Sequence, residues 1–365
     1  MSRARDFADL AGSADAGGIT GRNLIINGAM TVAQRSASVT GLGATDGYFT
    51  LDRFKVGFGA ASAGRFTMSQ STVTDLAGFS NALKLDCTTR DISIAAGELF
   101  VLQHILEGFN LQKLKASSTS TQAFTLSFYA KSNASRAIAT EFEFTNGTNK
   151  QISKLHTIGT SWARYTMTVP AASSTQIDDD NSAELTMNFW LHAGSTYTSG
   201  TINDDALAPT TSANRAPGIG SLFASTDNTL EITGVQLEVG QTATPFEHED
   251  FGTMLRKCQR YGFNIAEVSA GRVGVGQTVG SGVADVLINH PVTMRAAPTL
   301  PSPDATGANV TNVNGSNIAS TGIALQSATP NVTRLRVTVS SGLTAGNACT
   351  LSFDATDDAF LKAEL

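Results

Sequence analysis

Long apolar runs are missing from this 365-residue chain. None approaches the roughly 18 residues a membrane-crossing helix needs. The opening stretch MSRARDFADLAGSADAGG lacks the continuous apolar segment of a secretory leader, so neither a signal peptide nor membrane insertion is expected. Charge is scarce as well. Asp, Glu, Lys and Arg make up 15% of the chain, against about 25% in an average soluble protein. The balance is −6, and no basic stripe offsets it, which argues against a nucleic-acid partner. Cys87, Cys258 and Cys349 are odd in number and far apart, so they fit neither a disulfide framework nor a zinc site and read as buried free thiols.

Recognisable chemistry is equally sparse. There is no G-x-S-x-G, H-E-x-x-H, P-loop or paired-cysteine motif, and His104, His156, His192, His248 and His290 show no ligand spacing. Glycan cleavage would need two carboxylates roughly 5 to 10 Å apart across a groove. The densest acidic run, Asp178, Asp179 and Asp180, precedes a strand and reads as a solvated loop, with a structural calcium loop as the alternative. His248, Glu249 and Asp250 already have a structural role at a helix start. No enzyme and no cofactor is expected.

What the chain does have is glycine, serine and threonine between period-two runs, the mark of half-buried strands. Phe124, Leu126 and Phe128 alternate with Thr125, Ser127 and Tyr129. Tyr165, Met167 and Val169 oppose Arg164, Thr166 and Thr168, and Pro170 ends that run. Leu185, Met187, Phe189 and Leu191 oppose Thr186, Asn188, Trp190 and His192, and Val235, Leu237 and Val239 share one side of a further strand. Strands without intervening amphipathic helices imply an all-β fold, a jelly-roll β-sandwich of antiparallel sheets.

One helix interrupts the pattern. Phe251, Met254, Leu255 and Cys258 form an apolar stripe, with Glu249 and Asp250 before it and Arg256, Lys257 and Arg260 towards its end, the polarity that suits the helix dipole. Pro245 closes the preceding strand, and Phe246 is placed to staple the helix entry. Beyond it, Leu335, Val337 and Val339 and then Cys349, Leu351 and Phe353 predict two strands of a long hairpin, joined by a loop with Gly342 and Gly346. The expected organisation is an arm over 1–22, a jelly roll over 23–249, a linker helix over 250–264 and a smaller C-terminal β domain over 265–365, either a small sandwich or a subunit-interlocked tip. Nearer the start, Asn27-Gly28 predicts a tight turn in which glycine supplies the positive φ. Leu51 and Phe54 point inward, leaving Asp52 and Arg53 as an exposed pair.

Particular stretches resemble a known class. NLIINGAMTVAQRS followed by DGYFTLDRF is similar to the opening of tail-fibre and related virion appendage proteins of tailed bacteriophages. ELFVLQHILEG with FTLSFYAKS resembles the next part of that class's carbohydrate-binding-module-like jelly roll, and LEITGVQLEVGQTATPFEHEDFGTMLRKCQRY its end. HPVTMRAAPTL and DDAFLKAEL resemble the downstream β domain and the C-terminus. The resemblance spans residues 23–365. It implies a homotrimer in the virion and adhesion to host cell-surface polysaccharide. Ahead of it, the short amphipathic piece with Phe7 and Leu10, followed by Gly17 and Gly18, reads as an arm that tethers the chain to other virion proteins. A purely structural head or tail decoration and a capsule-degrading spike are the rival readings. Asn188, Trp190 and His192 form the expected glycan-binding set on the outer face of their strand, joined by Tyr129 if the two strands share a sheet. An exposed Trp190 would equally suit a subunit interface.

Overall fold

The period-two runs pair into antiparallel sheets whose apolar sides meet in one core. A computed structural model describes residues 21–60, 62–173, 175–266, 271–301, 308–353 and 359–365; Phe7 and Leu10 lie outside them. The chain divides into two compact units after Phe251. In chain order, the first contains β1 (Ser38–Leu42), β2 (Lys55–Gly59), β3 (Arg65–Thr72), β4 (Asn81–Thr89), β5 (Leu99–Glu107), β6 (Lys115–Ser117), β7 (Ser120–Thr121), β8 (Phe124–Ser132), β9 (Arg136–Phe144), β10 (Lys150–Ile158), β11 (Ala163–Val169), β12 (Ala172–Ser173), β13 (Ala183–Ala193), β14 (Ala208–Pro209) and β15 (Thr229–Val239).

One six-stranded sheet runs β1-β3-β4-β15-β8-β11, the other β14-β10-β9-β13-β5-β2, and β12-β7-β6 form a small third sheet. This is an all-β jelly-roll sandwich. Phe124, Leu126 and Phe128 of β8 and Leu185, Met187, Phe189 and Leu191 of β13 are fully buried between the large sheets. Phe128 and Phe189 meet edge-to-face at 5.0 Å from opposite sheets, a contact whose truncation to alanine costs about 3–5 kcal/mol. In β15 a register shift between Thr233 and Gln236 keeps both halves facing inward: Leu230 and Ile232 before it, Val235 and Leu237 after it.

Two local expectations are corrected. At the Asn27-Gly28 turn it is Asn27 that takes the positive φ, at 65°, while Gly28 is required by close approach. A Cβ on Gly28 would stand 2.0 Å from the Val235 carbonyl oxygen. Asp52 and Arg53 are not an exposed pair; both are buried. Asp52 faces Arg35 at 3.4 Å, and Arg53, with φ at 71°, sends a guanidinium N–H to the Ile105 carbonyl at 2.5 Å. Their partners come from distant segments, which local alternation cannot show.

The second unit, Gly252–Glu364, contains β16 (Gly262–Asn264), β17 (Arg272–Gly280), β18 (Val283–Asn289), β19 (Asn309–Asn312), β20 (Asn317–Ala328), β21 (Val332–Val339), β22 (Ala348–Ser352) and β23 (Phe360–Lys362). The small sandwich does not form among the described residues. Instead β17-β18-β21-β20-β19-β22 close into a barrel within one chain, so every strand of it has two neighbours. The expected hairpin between 332–339 and 348–352 is also corrected, because β21 pairs with β18 and β20 and β22 with β17 and β19. Their inward faces are as read: Leu335, Val337, Val339, Cys349, Leu351 and Phe353 are buried.

The helix covers Phe251–Gln259 and buries Met254 and Cys258, whereas Phe251 is 59% exposed and so falls outside the buried stripe. Phe246 packs on Phe79 at 5.1 Å and His248 at 4.8 Å. All three cysteines are free and buried.

Candidate carbohydrate-contacting surface

β13 does present Asn188 and Trp190 on the side opposite its core residues, but that side is covered, and a register shift between Trp190 and His192 turns His192 to the core side, opposite Phe100. Trp190 is 2% exposed, Asn188 1% and His192 0%. The chain leaving β13 at Gly194 passes over the sheet before it returns to β15. Tyr197 lies 5.2 Å from the Trp190 ring, the Arg215 guanidinium sits 5.1 Å over it, and Ala216, Ile202 and Ile219 pack around it. The indole N–H donates to Glu141 Oε2 at 2.7 Å, as does the Asn188 amide at 2.9 Å. Arg215 closes the same carboxylate through Nε at 2.8 Å and Nη2 at 2.9 Å, and reaches Glu143 at 2.6 Å. Burial pushes the Glu141 carboxyl up, against the pull of Arg215. This network fastens a covering segment, and the exposed indole platform expected here is absent. His192 belongs to a separate cluster with Glu98 and Ser221.

Tyr129 does not join them, because β8 and β13 belong to different sheets. It stands instead on the outer side of its own sheet, among aromatic and charged neighbours. Toward one end of that face, Thr125 bonds to the Gly240 carbonyl at 2.8 Å, and Arg164 bonds to Ser127 at 2.8 Å and to the Thr244 carbonyl. The segment after β15 therefore covers this end. Past it the face opens, and Tyr129 and Lys131 are half-buried. Tyr129 has Phe79 at 5.3 Å and the cross-strand Arg164 guanidinium at 6.0 Å. Gly234 makes this packing possible. It sits in the β15 bulge at φ +60°, where a Cβ would stand 2.7 Å from Phe79 Cζ and 2.8 Å from Tyr129 Cδ2.

Trp162, in the turn between β10 and β11, completes the surface. Its N–H donates to Asp75 Oδ1 at 2.8 Å, and the Lys131 ammonium lies 4.9 Å from the ring centroid. Lys131 also bridges Asp75 at 3.0 Å and Glu231 at 3.8 Å. The Lys131 hydrogen bond, and after it the indole N–H, hold the Asp75 carboxyl below its ordinary range. The result is a partly exposed indole and phenol spaced along one sheet face and fixed by an ammonium, a guanidinium and carboxylates. Rings so held can stack on the C–H face of a sugar while the charged groups take its hydroxyls. Sequence reading missed Trp162 because it precedes the alternating run. Its signal was an indole directly after the polar turn residues Thr160 and Ser161. Elsewhere, Asp178 and Asp179 are exposed; Asp178 accepts from Asn146 at 2.9 Å, and Asp180 accepts from the backbone and hydroxyl of Ser182.

No protein-family model matches the chain, and no curated protein matches it. Among solved structures it is similar to the enzymatically active domain of tailspike protein 4 of bacteriophage CBA120, at 12% identity and a TM-score of 0.30, over 60% of this chain and 21% of that one. It is also similar to a CBM4 carbohydrate-binding module, at 11% identity and 0.29, over 59% of this chain and 99% of the module. A third likeness is to TmCBM61 in complex with β-1,4-galactotriose, at 10% and 0.28, over 60% and 100%. Likeness at this level does not say what this chain binds.

Proposed function

We propose that this protein is a non-catalytic adhesion subunit of a tailed-phage fibre or related virion appendage, and that its jelly roll contacts host-surface polysaccharide through the face carrying Tyr129 and Trp162. The observation that carries the reading is that partly exposed face, where Lys131 lies against the indole and ties Asp75 to Glu231. The order of the sequence motifs supports the virion setting. Trimers docked through an arm containing Phe7 and Leu10 would multiply weak single-site contacts into useful avidity.

The test is a glycan array of bacterial surface polysaccharides probed with the full chain, followed by calorimetric titration of the glycans retained. Trp162→Ala is expected to weaken binding about tenfold or more, the loss of one stacking contact of about 1–3 kcal/mol, with the melting temperature nearly unchanged. Trp190→Ala would instead lower stability. A folded wild type that retains no glycan sinks the adhesion reading in favour of a structural decoration. Release of reducing sugar would favour a degrading spike.

A further inference from the structure

Two carboxylates and an imidazole meet inside the first unit at the margin of the sheet core, away from the Tyr129–Trp162 face. Asp91 follows β4, Glu98 immediately precedes β5, and His192 lies near the end of β13. All three are buried, at 5%, 4% and 0% exposure. One ligand atom from each lies within 4.8 Å of the other two, and His192 Nε2 stands 3.2 Å from Glu98 Oε2.

Charge balance makes this cluster unusual. Among the described residues no lysine or arginine forms an ion pair with Asp91 or Glu98, and His192 is their sole ionisable partner. Two buried carboxylates that share one imidazole and no lysine or arginine are an expensive arrangement without a cation. A divalent ion would balance their charge.

The surroundings hold the donors as ligands are held. Asp91 Oδ2 accepts from the Ser62 hydroxyl at 2.7 Å and the Ala63 amide at 2.9 Å, and its Oδ1 accepts from the Ser93 amide at 3.0 Å. The Asp91 backbone is fixed by its N–H on the Phe223 carbonyl at 2.8 Å. His192 Nδ1 lies 2.7 Å from the Ser221 hydroxyl, and its ring packs against Phe223 at 5.1 Å. In the tautomer protonated at Nδ1 the ring donates to the Ser221 hydroxyl and turns its Nε2 lone pair towards Glu98. Orientation of a ligating imidazole through its second nitrogen is the usual outer-sphere arrangement.

We propose that Asp91, Glu98 and His192 form a binding site for a single divalent ion of the zinc, cobalt or manganese class. An imidazole nitrogen among two carboxylates disfavours calcium and magnesium, which take oxygen ligands. The three donor atoms already lie within 4.8 Å of one another, close enough to face one ion. The ion would join the segments around residues 62, 91 and 98 to the start and end of the strap that covers Trp190, making that cover part of the folded jelly roll.

The test uses the full chain without a polyhistidine tag, stripped with chelator and titrated with Co²⁺ and Zn²⁺ under dialysis, with melting recorded in parallel. The expected result is one equivalent of metal bound and a melting temperature raised by roughly 5 °C or more at saturation. Glu98→Gln and Asp91→Asn should each weaken binding about tenfold or more while still melting cooperatively in chelator. Should those variants fail to fold, X-ray absorption on the wild-type zinc form decides: nitrogen and oxygen scatterers with a single imidazole are expected. Sulfur in the first coordination shell, binding unchanged in both variants, preference for calcium over zinc, or a folded wild type that takes up no metal would each overturn the proposal.

Discussion

The Trp190 indole donates to the Glu141 carboxylate at 2.7 Å, on the side of the sheet away from the main core. The carboxylate is buried, and Arg215 supplies its countercharge from the covering segment. Breaking such a pair from one side is costly, because it strands the other charge. Arg215→Met is therefore expected to destabilise the jelly roll by about 3–5 kcal/mol at pH 7 in urea unfolding. Because burial raises the Glu141 carboxyl, protonation relieves the stranded charge, and the loss should shrink as pH falls. Glu141→Gln combined with Arg215→Met should recover much of the stability. A double variant no better than the single one would show that the pair does not hold the strap.

The bulge at Gly234 ties the fold to the proposed surface. A Cβ there would collide with the Phe79 and Tyr129 rings, and the backbone is at positive φ. Gly234→Ala is expected to cost roughly 2 kcal/mol through strain and displaced aromatics. It should also weaken retention of any array-positive glycan, though Gly234 itself need touch no sugar. Stability lost with glycan affinity intact would mean that Tyr129 is not part of the contact.

Which residues point inward was legible in the sequence, and what covers the outward ones was not. Alternation placed Leu185, Met187, Phe189 and Leu191 in the core and Asn188 and Trp190 opposite, as the fold has them, but it misplaced His192, which a register shift turns to the Phe100 side. A period of two carries no information about a strap contributed much later in the chain by Arg215 and Ala216. The same limit applies to β21 and β22. Each has the inward pattern of a hairpin arm, yet barrel closure pairs them with other strands, a choice made by long-range register. Trp162 was hidden for the opposite reason: it lies in a turn, where periodicity has nothing to say. The Asp91–Glu98–His192 cluster draws on three separate segments with no fixed spacing, so no motif could announce it.

His156 sets an acid limit on stability. It is buried in β10, with the Thr140 hydroxyl at 2.9 Å from Nε2 and Phe128 and Tyr165 edge-on to its ring. Burial, with a smaller push from Lys154, lowers its pKa from 6.5 to about 4. The unfolded chain thus binds the proton first, so this contribution is complete above about pH 6.5 and is lost as pH falls towards 4, by at most about 3 kcal/mol. His156→Gln should flatten the stability profile across that window, whatever it does to stability at neutral pH. An unchanged acid slope would show that other groups set it.

Asn27 meets two demands at once, of which glycine meets one and alanine neither. Its backbone is at φ 65°, its amide donates to the Val32 and Asp52 carbonyls at 2.8 and 3.0 Å, and its oxygen accepts from the Val32 N–H at 3.0 Å. Asn27→Ala loses those bonds inside the protein and forces a Cβ-bearing residue without a compensating side chain into the left-handed region. A loss of about 3–4 kcal/mol is expected. Asn27→Gly loses the same bonds without the backbone strain and should be about 1 kcal/mol less harmful. Asn27→Asp keeps the acceptor but sets a carboxylate against two carbonyls, and should fall as low as alanine at pH 7 while improving in acid. The ranking is read from urea midpoints, and alanine tolerated as well as glycine would show that the strain at this turn is relieved elsewhere.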